Sequence, residues 1–493
     1  MAPASAEPSF LATPRGKLTL LLLCAVAFLD FIDGSIVNVA LPSIRDDLHF
    51  SVQGLQWVPS GYLLTYGGFM LLGGRAADLL GRRRVLVAGT IVLELASLSA
   101  GLAGSEGMLV ASRLVQGLGA AMMLPAALSL LTTTFAEGKD RNTALGVWGA
   151  VAGLASAVGV LAGGVLSEGP GWRWVFLVNF PVCLLVLGGI FWLIPGGERA
   201  RATLARFDLR GAVLATGGML LLVYTLVKAP DVGWGAARTL GGLALALALL
   251  AAFVANEARS DDPLLPLSIF RVKGLAAADT AQLIAVAGFF SMFFFLTLYM
   301  QNVLGWSQIQ AGLAYLPLCF GVAIAAGVAS QLLGRTGTRP VIVAGSLIAA
   351  GGVWWLSRMP VDGSYVADLL PGLLITSVGL GAVFVAVTTA ANAGVPAHQA
   401  GLAAALLNAS QQVGGALGLA IFSAIATSHT DARLAAHAPP AEALTSGFQR
   451  ALLASSLFLV AAAVVALRAT NTRGEVAAEP AGGAPTAAAL GPV

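Results

Sequence analysis

Long apolar runs, each about the length of a membrane-crossing helix, follow one another along the chain with only short polar stretches between them. A helix needs about 20 apolar residues to cross a bilayer. On that criterion the sequence predicts spans near 18–41, 55–74, 85–103, 108–132, 143–166, 175–194 and 209–227. It predicts seven more near 239–257, 275–303, 310–333, 340–357, 366–390, 401–427 and 448–467. Connections such as 104–107 and 305–309 leave no room for a folded soluble domain. The first run follows Arg15 and Lys17 in the manner of a signal peptide, but it continues through Asp30 and Asp33 to Leu41 without an obvious cleavage site. It therefore reads as a retained span, and the expected class is an all-α membrane protein with fourteen transmembrane helices.

Composition agrees and narrows the alternatives. The 493 residues are 57% hydrophobic and 10% charged, against about 25% charged in soluble domains, so most of the exterior must face lipid. A net charge of +3 offers no nucleic-acid surface. Cys24, Cys183 and Cys319 are too few and scattered for a disulfide framework or a zinc site. All four histidines (His49, His398, His429 and His437) fall in predicted loops, so no metal centre is expected. With the N-terminus inside, 19 Lys and Arg lie on the inner side and 7 on the outer, with Arg113 inside a span. That asymmetry places both termini in the cytoplasm. Seven of the nine Trp fall at outer span ends, as an interfacial belt would. Arginine outnumbers lysine 23 to 4 in a chain rich in Ala and Gly, a bacterial bias that implies the inner (plasma) membrane.

An internal repeat organises the spans. Residues 81–89 (GRRRVLVAG) match 337–345 (GTRPVIVAG) at six of nine positions, an offset of 256. The same offset carries the first span onto the ninth. The expected layout is a cytoplasmic N-terminus 1–17, a six-helix bundle 18–194, and a linker 195–273 holding helices 7 and 8. A second six-helix bundle 274–467 and a disordered cytoplasmic tail 468–493 complete it. Repeats of this kind place a substrate site between the halves near the midplane.

Several segments then carry a resemblance. Gly74-Arg-Ala-Ala-Asp78-Leu-Leu-Gly81-Arg82-Arg83, between spans 2 and 3, resembles the loop signature G-x-x-x-D-R-x-G-R-R of the major facilitator superfamily, with Leu79 at the usual Arg. Leu29-Asp-Phe-Ile-Asp33-Gly-Ser-Ile-Val-Asn38-Val-Ala-Leu-Pro42 and Arg113-Leu-Val-Gln116-Gly117-Leu-Gly119 resemble the first- and fourth-span motifs of its fourteen-span drug:proton antiporters of the EmrB/QacA type. Residues 172–181 and 262–267 are similar to that branch as well. The resemblance implies a major facilitator fold and proton-coupled export by a monomer, driven by the proton gradient without a cofactor. In the loop, Gly74, Asp78, Gly81, Arg82 and Arg83 form a candidate conformational latch. The glycines allow a tight turn, and Asp78 is placed to cap a helix N-terminus, the expected one being span 11, which begins near Pro340. The plainer alternative is an Arg cluster that only fixes topology. One departure stands out: exporters of the group carry a proline in span 5 where this chain has Val160.

Ionisable residues inside a membrane cost at least about 2.5–3.5 kcal/mol and are functional candidates by default. Here they are Asp30 and Asp33 in span 1, Glu94 in span 3 and Arg113 in span 4. Asp30 and Asp33 share a helix face, and two like charges in a desolvated cleft resist simultaneous ionisation, which poises one for proton exchange. Asp33, where motif and physics agree, is the expected proton-coupling residue. Arg113 has a structural ion pair as its alternative and Glu94 a hydrogen bond to a neighbouring helix. Asn38, Gln116, Phe289, Phe293, Tyr299, Asn408, Gln411 and Gln412 are candidate cavity residues for an amphipathic substrate, although Phe runs in spans often only pack or face lipid. The function expected is proton-driven export of hydrophobic or amphipathic drugs or secondary metabolites. An exporter of lipids without strict antiport is the transport alternative, and a membrane-embedded enzyme or sensor the alternative of another class. No Walker A, H-E-x-x-H or G-x-S-x-G motif supports ATP-driven or hydrolytic chemistry.

Overall fold

In the computed structural model, which describes residues 10–135, 139–196, 208–260, 263–395 and 399–473, the chain is helical with no strand among those residues. Fourteen long helices follow one another. The first eight are α1 (Pro14–Leu48), α2 (Trp57–Leu80), α3 (Arg82–Gly101), α4 (Glu106–Thr134), α5 (Lys139–Glu168), α6 (Trp174–Leu193), α7 (Leu209–Val232) and α8 (Ala237–Arg259). The rest are α9 (Leu275–Asn302), α10 (Gln308–Thr336), α11 (Thr338–Leu356), α12 (Tyr365–Asn392), α13 (Ala400–Ala435) and α14 (Pro440–Ala466). Each expected span falls on one of them. The largest difference is at α13 and α14, where the helices run on through polar residues such as His429, Asp431 and Glu442 beyond the apolar stretch. His429 is thus helical rather than in a loop, and its ring Nε2 is hydrogen-bonded to Ser446 Oγ at 2.8 Å.

Thirteen of these helices are long and apolar enough to cross a membrane by composition alone. The exception, α2, has the length at 24 residues but buries Ser60, Tyr62, Thr65 and Tyr66 inside the protein. A helix enclosed by other helices has less need of a lipid-compatible surface, which is why α2 tolerates that polarity.

The repeat is visible in packing. A Cβ built on Gly89 would lie 2.9 Å from the Gly119 carbonyl, and one on Gly119 would lie 2.5 Å from the Leu93 nitrogen, so α3 and α4 cross in backbone contact. Helices α11 and α12 cross in the same way, with Gly345 against the Gly379 carbonyl at 2.9 Å and Gly379 against the Ala349 nitrogen at 2.3 Å. The turns that open α3 and α11 also correspond, Gly81 at φ 99° and Gly337 at φ 84°, backbone conformations that favour glycine. Packing of α1 on α5 (Ile36 against Gly163) is repeated by α9 on α13 (Ala287 against Gly418). The pair α7–α8 stands outside this symmetry, with α7 lying on α2 through Thr216 against Gly68.

The two sets of six helices meet along α2–α13 and α5–α10. Gly67 admits Gln412 and Ala409 of α13, and Gly312 admits the Val160 carbonyl of α5. Polar ties cluster where α1 ends: Gln301 Nε2 donates to the Val39 carbonyl at 3.0 Å and Gln308 Nε2 to Ser43 Oγ at 2.8 Å. The chain past α14, expected to begin a disordered tail, is ordered against α11, with the Thr338 amide donating to the Thr472 carbonyl at 2.9 Å. Residues 474–493 of that tail, 1–9 of the N-terminus, Arg199, Arg201, Arg206, Asp262 and His398 lie outside the described residues.

Close helix approach makes a specific demand. A Cβ on Gly163 would lie 2.5 Å from the Ile36 carbonyl, whereas one on Gly188 would meet nothing within 4 Å. Gly163→Ala is expected to destabilise the protein by about 1–3 kcal/mol through overpacking, and Gly188→Ala to leave it unchanged. Thermal unfolding of the two purified variants checks this, and equal stability would refute the close α1–α5 contact.

Candidate functional site

The chemistry concentrates where α1, α2, α3, α4 and α6 converge. Asp33 and Arg113 are buried, at 0% and 1% side-chain exposure, and Arg113 Nη1 lies 2.6 Å from Asp33 Oδ2. The same nitrogen donates to Gln116 Oε1 at 2.7 Å, and Nε donates to the Val58 carbonyl at 2.9 Å. Gln116 Nε2 donates to Asp33 Oδ1 at 2.8 Å, and Asn179 Nδ2 approaches that oxygen at 3.4 Å and Ser97 Oγ at 3.2 Å. The Arg113 guanidinium also lies over the Tyr62 ring, 4.4 Å from its centroid, and 5.7 Å from that of Phe176. A buried ion pair is tolerated only when its remaining donors and acceptors are satisfied, and these neighbours satisfy them. Spacing explains the meeting: Arg113 and Gln116 are three apart on one face of α4, so both reach the carboxylate on α1.

Asp30 shares the Asp33 face of α1 but is held differently. Tyr62 Oη donates to its Oδ1 at 2.9 Å and Tyr66 Oη to its Oδ2 at 2.8 Å. Glu94, the remaining expected membrane charge, is buried beside the Cys183 thiol of α6, and its oxygens meet no N–H or O–H donor among the described residues. It stands apart from the bonded group.

The loop between α2 and α3 departs from its expected geometry. Asp78 is 67% exposed and pairs with Arg82 at 3.8 Å rather than capping α11. The start of α11 is closed instead by its own half: Asn471 Oδ1 accepts the Arg339 amide at 3.1 Å, and Thr338 Oγ1 donates to the Thr470 carbonyl at 2.6 Å. Gly81 makes the expected turn, but close approach falls on Gly73, whose Cβ would lie 2.0 Å from the Ala121 carbonyl, rather than on Gly74. Arg83 closes the end of α6, donating to the Phe191 carbonyl at 3.3 Å. Its repeat partner Arg339 closes the end of α14 through the Ala469 carbonyl at 3.0 Å. Both satisfy carbonyls at helix ends. A groove of about 710 Å³ opens beside this loop, between Arg82, Ile91, Leu130 and Phe191, away from the buried charges.

Of the expected cavity residues, Gln116 is part of the charge cluster. Phe289 and Phe293 pack edge to face at 4.9 Å, and Phe293 meets Tyr315, also at 4.9 Å. Gln412 lies across the seam against Gly67, where a Cβ on that glycine would be 3.0 Å from Gln412 Cβ. Asn38 and Asn408 bond to carbonyls of their own helices, Gly34 and Ala404, at 2.8 and 3.0 Å. Gln411 is half-buried next to Gln412. Tyr299 lies apart, fully buried and donating to the Pro360 carbonyl. Sequence reasoning missed Tyr62, Tyr66, Ser97 and Asn179. It also missed two further buried carboxylates: Asp279 of α9, with no partner for either oxygen among the described residues, and Glu257 of α8, which accepts the Leu265 amide at 2.7 Å. An Asp one turn inside an apolar run is a signal the sequence did offer; the neutral polar residues carry none.

Two related sets of six helices and an inserted pair, thirteen of the fourteen apolar enough to span a membrane, with a charge pair enclosed within one set, are the plan of a multi-pass membrane transporter. The sequence matches the Major Facilitator Superfamily model over residues 23–419, and the chain belongs to that superfamily. It is 39% identical to the puromycin resistance protein pur8 of Streptomyces alboniger, over 94% of this chain and 93% of that one. It is 40% identical to the cephamycin export protein CmcT of Amycolatopsis lactamdurans, over 92% of each. A crystal structure of the peptide transporter POT in complex with sulfate shares the fold, with a TM-score of 0.64 at 16% identity over 91% of this chain and 95% of that one.

Removing one member of the buried pair leaves the other uncompensated. Arg113→Leu is expected to cost about 3–5 kcal/mol, and adding Asp33→Leu is expected to recover most of that loss. Thermal unfolding of the single and double variants checks it. A double variant no more stable than the single one would show that the pair's partners, not its charge balance, hold the helices.

Proposed function

We propose that this protein is a proton-coupled secondary transporter that exports hydrophobic or amphipathic drugs or secondary metabolites by alternating access. The observation that carries the reading is the enclosed group of Asp30, Asp33 and Arg113, in which one cation pairs with Asp33 while Asp30, a turn away, is held by neutral tyrosine hydroxyls. One carboxylate is thereby left without a neutralising charge, the arrangement expected of a proton-exchanging site. The relatives named for resistance to puromycin and export of cephamycin support the substrate class. In this reading residues 18–194 and 274–467 form the two rocking bundles, and the positive-inside asymmetry puts both termini in the cytoplasm of a bacterial cell. The Phe289–Phe293–Tyr315 cluster supplies an apolar wall for the substrate opposite the acidic one.

Everted membrane vesicles acidified inside test this, because their lumen corresponds to the cell exterior. The wild type is expected to accumulate puromycin in the lumen as protons leave, and a protonophore to abolish the accumulation. Asp30→Asn combined with the neutral pair Asp33→Asn and Arg113→Gln is expected to leave the protein inserted while removing the gradient-driven component. Full accumulation by that triple variant would refute coupling through α1.

A further inference from the structure

We infer that Asp30, rather than Asp33, is the carboxylate that takes up and releases the transported proton, and that Tyr66 passes its protonation state to Gln412 across the seam between the halves. The inference rests on the proton-coupled reading above and divides its two carboxylates by role.

Asp33 is committed. Its Oδ2 holds Arg113, and its Oδ1 accepts from Gln116 with Asn179 close by. A proton placed on it would leave the buried guanidinium without its counter-charge, a loss comparable to breaking a buried ion pair. Asp30 has no such commitment. The titratable groups that face it are Tyr62 and Tyr66 on α2 and Asp33 one turn along α1, while Arg113 on α4 meets the Tyr62 ring rather than the Asp30 carboxylate. Its bonds are therefore neutral donors to a carboxylate, and they survive protonation by reorienting.

The two tyrosines differ in what lies beyond them. Tyr62 is pinned beneath the Arg113 guanidinium. Tyr66 leads out of the N-terminal half: its neighbour Gly67 packs on α13, where a Cβ would lie 3.0 Å from Gln412 Cβ, so the Gln412 side chain lies across the seam from the tyrosine pair. A hydroxyl has one proton to donate. With Asp30 ionised, Tyr66 donates to Oδ2, which leaves its oxygen to accept from Gln412 Nε2. With a proton bound to Oδ2, that new O–H donates to the Tyr66 oxygen, and the Tyr66 proton turns to Gln412, which must present Oε1 instead. Only the O–H bond on Asp30 is made or broken. The hydrogen bond across the seam reverses its sense, so the contact between the halves differs between the two protonation states.

Infrared difference spectra of the purified protein, recorded on stepping the pH across about 5 to 8, read carboxyl protonation directly through the C=O stretch and require no substrate. A titrating carboxyl band is expected in the wild type, read after subtracting the components that Glu94→Gln, Glu257→Gln and Asp279→Asn remove. It should be lost in Asp30→Asn and retained in the neutral pair Asp33→Asn with Arg113→Gln. Tyr66→Phe should keep the band but remove the pH dependence of the distance between spin labels placed on α2 and α13. The inference is overturned if the wild type shows no titrating band, or if Asp30→Asn keeps it. It is equally overturned if the neutral pair loses the band, or if Tyr66→Phe leaves the label distance as pH-dependent as before. Because no substrate is involved, failure of puromycin transport in vesicles would count against the export reading while these spectra decide the assignment of the proton.

Discussion

The contact on which the N-terminal half depends is the Arg113–Asp33 pair. Either charge alone in this environment would cost several kcal/mol, so each must bring its partner and enough dipoles to complete the solvation that water no longer provides. The required groups come from five helices: Asp33 from α1, the Val58 carbonyl and Tyr62 ring from α2, Ser97 from α3, Arg113 and Gln116 from α4, and Asn179 and Phe176 from α6. Apolar packing between helices in a membrane is weakly directional, because lipid tails are as apolar as leucine. The charge pair supplies direction. It fixes depth and rotation of α1 against α4 in a way that glycine contacts alone do not.

The two halves share a packing plan but not this chemistry. Aligning the matched contacts (Ile36 with Ala287, Gly119 with Gly379) places Ala281 and Ile284 at the positions of Asp30 and Asp33, and Leu373 and Thr376 at those of Arg113 and Gln116. The C-terminal half is apolar where the N-terminal half is charged, and it concentrates aromatic rings along α9 instead. Its own buried acid, Asp279, sits nearer the start of its helix and belongs to a different constellation. The symmetry therefore builds the scaffold, and departures from it place buried charge on one side and aromatic rings on the other.

Much of this was legible from sequence because membrane insertion imposes a simple code. Apolar runs marked all fourteen helices, even α2, whose polar residues lower its apolarity, and the matched turns at Gly81 and Gly337 marked the repeat. Asp33 and Arg113 stood out as charges inside spans, and the two do meet. What sequence did not carry was the identity of neutral partners. Ser97, Asn179, Tyr62 and Tyr66 lie in runs where such residues are common, and only three-dimensional contact distinguishes them. The expected cap of α11 by Asp78 failed for a related reason: the helix start is satisfied by Asn471, some 130 residues later in the chain, and local motif reasoning has no access to that partner. Helix ends beyond the apolar core, as at α13, were likewise invisible to a criterion built on hydrophobicity.

The same interaction constrains how the protein can move. With five helices bound to one buried pair, a conformational cycle that rearranged the N-terminal half internally would have to break that pair in a low-dielectric interior. Motion is cheaper along the seams, where the contacts are of another kind: backbone against glycine at Gly67 and Gly312, and neutral amide bonds from Gln301 and Gln308. Such contacts exchange for water or substrate at little cost. The absence of a proline at Val160 fits this division. Helix α5 runs unbroken from Lys139 to Glu168, and its Val160 carbonyl abuts Gly312 of the opposite half, so α5 meets the seam as an uninterrupted helix. Alternating access, in the export reading, then proceeds by tilting intact halves about glycine-lined seams, and α2 is the helix that both touches the charge cluster and forms such a seam.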